Sequence, residues 1–197
     1  MSEIVTGSIK AEKAEINKTE LARRLKTKVD FSLDEIDSCK DELLKVINYK
    51  YAYKKVMVDL SENNYVNLGF CNVKSKNLYK NLQGCNSAII LAVTAGIGVD
   101  RLLGRLNMLS QSKHFITDAL SSAAVESFCD YVNQTIDEKY ETKPRFSPGY
   151  GDLPLEIQPS ILKLLSADKT LGITLNNSLL MTPVKSITAI IGVQNEY

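Results

Sequence analysis

The sequence predicts an α+β domain, and three patterns carry that expectation. Tyr51 to Leu60 places Tyr51, Tyr53, Val56, Val58 and Leu60 in a β-rich, alternating segment, as in a half-buried strand. Ser87-Ala88-Ile89-Ile90-Leu91-Ala92-Val93 is a continuous apolar run, the pattern of a central strand covered on both faces. Thr117 to Ile136 repeats Leu120, Ala123, Ala124, Phe128, Tyr131, Val132 and Ile136 at helical spacing.

The other elements follow in chain order. Residues 1 to 16 are polar and alternating. Asn17 and Thr19 precede Glu20-Leu21-Ala22-Arg23-Arg24-Leu25, a short helix over 17–26 with a plausible cap. Leu33, Ile36, Leu43, Leu44 and Ile47 predict a helix over 33–48, with acids early and lysine late, as the helix dipole favours. Asn63-Asn64 marks a turn, after which Tyr65 to Phe70 returns as a second strand. Leu78 and Leu82 predict a short helix that stops at Gly84. Val99 to Ser112 and Leu155 to Ser166 read as helices, and Ile173-Thr174-Leu175 and Ile187 to Val193 as strands. With no repeat, low-complexity stretch or linker, residues 1–197 read as one domain.

Composition narrows the function classes. Hydrophobic residues make up 44% and charged residues 24%, ordinary values for a globular protein. A net charge of +1 supplies no field for nucleic acid. The lysines at 40, 45, 50, 54 and 55 read as a solvated face. Cys39, Cys71, Cys85 and Cys129 have neither zinc-site nor CxxC spacing, and Cys129 sits within an apolar helical pattern as a buried thiol. Free cysteines suit a reducing compartment. Met1-Ser2-Glu3-Ile4-Val5 lacks the features of a signal peptide, and the apolar run from Ala88 to Ala95 is too short to span a bilayer. The expected location is cytoplasmic, with no membrane partner.

Two familiar chemistries fit poorly. Gly96-Ile97-Gly98 follows a strand and opens a helix, but Arg101 stands where a dinucleotide fingerprint needs its third glycine. The pair reads as a tight strand-to-helix turn. His114 is the only histidine, which disfavours histidine triads and multi-histidine metal sites. The segment Arg145-Phe146-Ser147-Pro148-Gly149-Tyr150-Gly151-Asp152-Leu153-Pro154 is different. It combines a planar, permanently charged fork with glycines that admit close backbone approach and prolines that stiffen the turn. Glu126 stands on the long helix upstream with no lysine or arginine four residues away. It is either a solvated edge residue or a carboxylate awaiting a cation.

Arg145 to Tyr150 matches RxxxGY and is followed by Pro154, Gln158, Gly172-Ile173-Thr174-Leu175, Ser178, Met181, Pro183 and Ser186-Ile187-Thr188. This ordered set resembles the C-terminal activation domain of cobalamin-dependent methionine synthase. Glu126-Ser127-Phe128-Cys129-Asp130-Tyr131 resembles the glutamate segment of that family's long helix. The likeness is most specific over residues 117–193.

The resemblance implies an α+β fold with a mixed, largely antiparallel sheet flanked by helices. It implies S-adenosylmethionine as ligand and methyl donor, used with one electron from a flavodoxin-like donor to restore oxidised cobalamin. Glu126, Arg145, Phe146, Ser147, Pro148, Gly149 and Tyr150 are the implied ligand residues: Glu126 toward the ammonium, Arg145 toward the methionyl carboxylate or a carbonyl of its own loop, and 146–150 toward the adenine edge. No catalytic acid, base or metal ligand is implied on this chain. It has no Asp-x-His motif, so the cobalamin is expected on a partner, a methionine synthase lacking its own activation domain. A corrinoid-protein chaperone or regulator that no longer binds S-adenosylmethionine is the alternative.

Overall fold

The computed structural model describes residues 3–10, 16–25 and 31–197. Residues 1–2 and 11–15 of the polar start, and the last residue of the expected 17–26 helix, lie outside them. Five strands form the main sheet: β1 (Val5–Ile9), β2 (Tyr49–Met57), β6 (Ser87–Thr94), β7 (Tyr140–Thr142) and β10 (Ser186–Glu196). Their order is β1-β2-β6-β10-β7, and every pairing is antiparallel. The apolar run at 87–93 is thus the middle strand, as its composition predicts. Ile89, Leu91 and Val93 point to one face, while Ala88, Ile90 and Ala92 point to the other.

Helices cover the first face: α1 (Lys18–Arg24), α2 (Leu33–Val46), α4 (Ile97–Leu109) and α5 (Gln111–Asp137). Phe128 of α5 is fully buried and stacks on Tyr49 with ring centroids 4.5 Å apart. Ser32 caps α2 by accepting from Glu35 N, and Asp34, Glu35 and Lys45 are placed for the dipole. Helix α5 starts six residues before its apolar repeat becomes regular. Ser110, the last cap of α4, accepts from Lys113 N and so starts α5 as well. His114 therefore lies inside α5.

Smaller pieces cover the second face. A three-stranded sheet of β3 (Asp59–Ser61), β4 (Tyr65–Asn67) and β5 (Asn72–Lys74) packs there with α3 (Lys76–Asn81), α6 (Gln158–Leu164) and α7 (Ala167–Thr170). The alternation from Tyr51 to Leu60 is thus divided: β2 ends at Met57, and its last part pairs with the returning strand. A two-stranded ribbon of β8 (Thr174–Leu175) and β9 (Met181–Thr182) leads into a cis Thr182–Pro183 bond and β10.

Candidate ligand site at the open edge of the sheet

Strand β10 pairs with β6 from Ser186 to Val193, but with β7 only from Val193 to Glu196. A single bridge joins Phe146 to Ile190. Nearer Ser186, no strand among the described residues covers the outer edge. A cavity of about 410 Å³ opens there. Glu126 of α5 forms one side, Ser147 and Pro148 another, and Ser186, Ile187 and Thr188 the floor. Leu155 and Gln158 close the end at α6, and Leu179, Leu180, Met181 and Val184 come from the loop before β10. The volume is that of a small-molecule site, and the lining is mostly apolar with a few polar groups to orient a ligand. A larger cleft of about 590 Å³, lined by Val56, Met57, Leu68, Phe70 and Leu164, has Lys54 and Lys55 as its only polar side chains, so it lacks the carboxylate, hydroxyls and amide found at the β10 edge.

Glu126 is the only ionisable side chain lining the cavity at the β10 edge. Its carboxylate lies 3.7 Å from Arg145 Nη2, and Arg145 Nη1 donates to Asp130 Oδ1 at 2.7 Å. Glu126 and Asp130 are one helical turn apart, so α5 presents both acids on one ridge. The guanidinium thus rests on α5 rather than on a carbonyl of its own loop, beside the cavity and outside its lining. Glu126, with 43% of its side chain exposed, faces both Arg145 and the opening.

The expected loop is a tight structure. Phe146 N donates to Ile190 O at 2.9 Å, and Ile190 N donates back at 2.8 Å. Tyr150 N donates to Ser147 O, and Gly149, with φ of 82°, donates to Leu153 O. That backbone conformation strains residues with a Cβ. Phe146 meets Tyr150 edge to face at 5.8 Å, leaving Tyr150 mostly exposed near the cavity mouth. Of the expected residues, the cavity gathers Glu126, Ser147 and Pro148. Arg145, Phe146, Gly149 and Tyr150 stand behind or beside them.

Polar bonds fix the floor. Thr188 Oγ1 donates to Gln158 Oε1 at 2.9 Å, and Gln158 Nε2 donates to Met181 Sδ at 3.0 Å. Ser186 Oγ donates to Pro183 O at 2.7 Å and lies 2.9 Å from Thr94 Oγ1. Gln158, Met181, Pro183, Ser186 and Thr188 belong to the ordered set read from the sequence, yet none was expected in the site. Thirty positions separate Gln158 from Thr188, and no local spacing signals such a pair. Asp100 holds the loop by accepting from Val184 N at 2.9 Å, and burial pushes its carboxyl above the usual range. Lys185 is held by Asp118 and Ser122 of α5.

The other candidates have packing roles. Gly96 has φ of 87°, and a Cβ there would lie 3.0 Å from Asn48 O. A Cβ on Gly98 would collide with Val46 O, so this glycine lets α4 approach the end of α2. Cys129 is fully buried, and desolvation pushes its thiol up to about 12. Among the described residues no helix is long and apolar enough to cross a membrane.

No family model matches the chain, and no curated protein matches it either. Among solved structures, it is similar to the crystal structure of the MetH reactivation domain bound to AdoHcy. The TM-score is 0.72 at 15% identity, covering 99% of this chain and 80% of that one. Likeness at this identity speaks to architecture: the chain has the fold of the MetH reactivation domain.

Proposed function

We propose that this chain, acting as one domain, binds S-adenosylmethionine in the cavity at the β10 edge and serves to reactivate a cobalamin-dependent methionine synthase. The observation that carries the reading is convergence. Glu126 of α5 and Ser147 and Pro148 of the following loop meet at one cavity, with Arg145 beside Glu126, in a fold shared with a domain solved with AdoHcy.

The residues suit a cationic ligand. Glu126 offers the cavity's one charge to the ligand's ammonium, with the sulfonium close enough to gain from the same field. Arg145, held by Asp130, is placed to meet the methionyl carboxylate by a small side-chain movement. The 146–150 backbone serves the adenine edge, and Pro148 and Leu155 give it apolar walls. The corrinoid, carried by a partner protein, would supply the metal that accepts the methyl group. This chain needs no acid or base, because its task is to hold the sulfonium in one orientation and keep water from it. A one-electron donor of the flavodoxin type completes the requirements.

The test is a calorimetric titration of S-adenosylmethionine into the wild-type chain and Arg145→Ala. Saturable binding, lost or weakened at least about tenfold in the variant, is expected for removal of a charge-assisted pair. A second reading, a corrinoid-protein module without this ligand, is favoured by the occupation of Arg145 by two carboxylates of its own chain. Absence of binding, both alone and with a cobalamin-loaded synthase partner, would select it.

A further inference from the structure

We propose that Asp152 is a positioning residue that clamps the 147–151 turn, and with it one wall of the cavity, onto the start of α3. The proposal rests on the ligand reading above only for what that wall binds. Asp152 Oδ1 accepts from Ser75 Oγ at 2.5 Å and from Asn77 N at 3.1 Å. Oδ2 accepts from Lys76 N at 2.7 Å. The first turn of a helix leaves such N–H groups unpaired, and here the carboxylate satisfying them comes from a distant loop. Ser75 Oγ also accepts from Leu78 N at 3.0 Å, joining the helix's own cap to the clamp.

The turn is held at both ends. Phe146 pairs with Ile190 on the sheet side, and Asp152 with α3 on the other. Between them lie Ser147 and Pro148, the cavity wall. Gly151 has φ of 58°, a conformation that strains residues with a Cβ, and it packs beside the Asn77 side chain of α3. The Ser75 hydroxyl, foremost among these donors, holds the Asp152 carboxyl below its usual range. Ser75 N donates to Asn64 O, which ties α3 to the small sheet. The position of the wall is therefore set from the second face of the main sheet.

The test uses the full chain as wild type, Asp152→Ala, Asp152→Asn and Ser75→Ala. Hydrogen exchange is followed without ligand, and S-adenosylmethionine is then titrated by calorimetry. In Asp152→Ala, amides of 147–151 and 76–78 should exchange about tenfold faster or more, with α5 and β6 unchanged. Affinity should fall by about tenfold, with Asp152→Asn intermediate because its amide keeps one acceptor oxygen. Ser75→Ala should loosen the same two segments to a smaller degree. Unchanged loop exchange in Asp152→Ala would overturn the clamp. So would an equal acceleration throughout the chain, which would make Asp152 a general stabiliser. If the wild type binds no S-adenosylmethionine, alone or with the cobalamin-loaded partner, the ligand reading fails while the exchange data still decide the clamp.

Discussion

The two faces of the main sheet are covered in different ways. On one, α2, α4 and α5 bury large side chains such as Phe128, Leu43 and Leu120 in a continuous apolar layer. On the other, a small sheet, short helices and loops bury a second apolar cluster that includes Leu68, Leu78, Ile90 and Ile161, and they are also joined by individual polar bonds: Asp152 to α3, Thr188 to Gln158, Ser186 to Pro183. Apolar burial is non-directional and tolerates small shifts, whereas a hydrogen bond fixes a distance and an angle. The cavity lies where the two constructions meet, with Glu126 from the helical face and Ser147, Pro148 and Gln158 from the other. Stability should therefore rest on the apolar layers of both faces, and site geometry on the polar bonds of the second.

The largest effect tests the first half of that contrast. Phe128→Ala should destabilise the chain by about 3–5 kcal/mol. For a chain of this size that lowers Tm by roughly 6–20 °C in a thermal melt. A smaller loss than Thr188→Val would reverse the ranking of apolar layer over polar bond. Thr188→Val removes the donor to a buried Gln158 oxygen and should cost about 1–3 kcal/mol. Its effect on S-adenosylmethionine affinity should exceed that of Phe128→Ala measured below both melting points.

The helical face should also leave a signature in alkali. Below the ordinary thiol value of 9.0, Cys129 is neutral whether the chain is folded or unfolded. Above it the unfolded thiol ionises while the folded one holds its proton to about 12, so stability falls as pH rises between those values. Burial also raises the Tyr49 hydroxyl, so Cys129→Ala should flatten the decline without abolishing it. Melting curves from pH 8 to 11 measure this, and parallel curves for the two proteins would count against a desolvated thiol. The smallest stability effect belongs to Arg145→Ala. Its partner Asp130 is half exposed, so the change should be within about 1 kcal/mol. A large drop in Tm would make Arg145 a structural residue.

The same contrast explains what the sequence disclosed. Helices α4 and α5 were legible because each repeats an apolar period against a broad surface, and strands β6 and β10 because a strand covered on both faces is almost continuously apolar. Strand β1 was hidden in polar alternation, its clue being Gly7, where a Cβ would collide with the ring of Tyr51. Strand β7 is too short to carry a period. At the cavity, Glu126 and the Arg145 loop stood out by residue type, and only the resemblance joined them into one expected site. The pairing of Arg145 with Asp130 was not legible, since it joins a helix to a loop that only the fold brings together. Leu179 lines the cavity from a backbone φ of 60°, a conformation that no leucine announces.

The middle position of β6 has a consequence in time. A chain made from its N-terminus can pair Thr94 with Lys50 as soon as both have left the ribosome, but the other edge of β6 must wait for Ser186. Until then the most apolar strand of the protein carries an uncovered backbone edge, the kind of surface that invites pairing with another chain. Synthesis of the last strand both completes the sheet and creates the floor of the cavity. A nascent chain stalled before β10 should therefore depend on chaperones, and should lack the cavity that β10 floors.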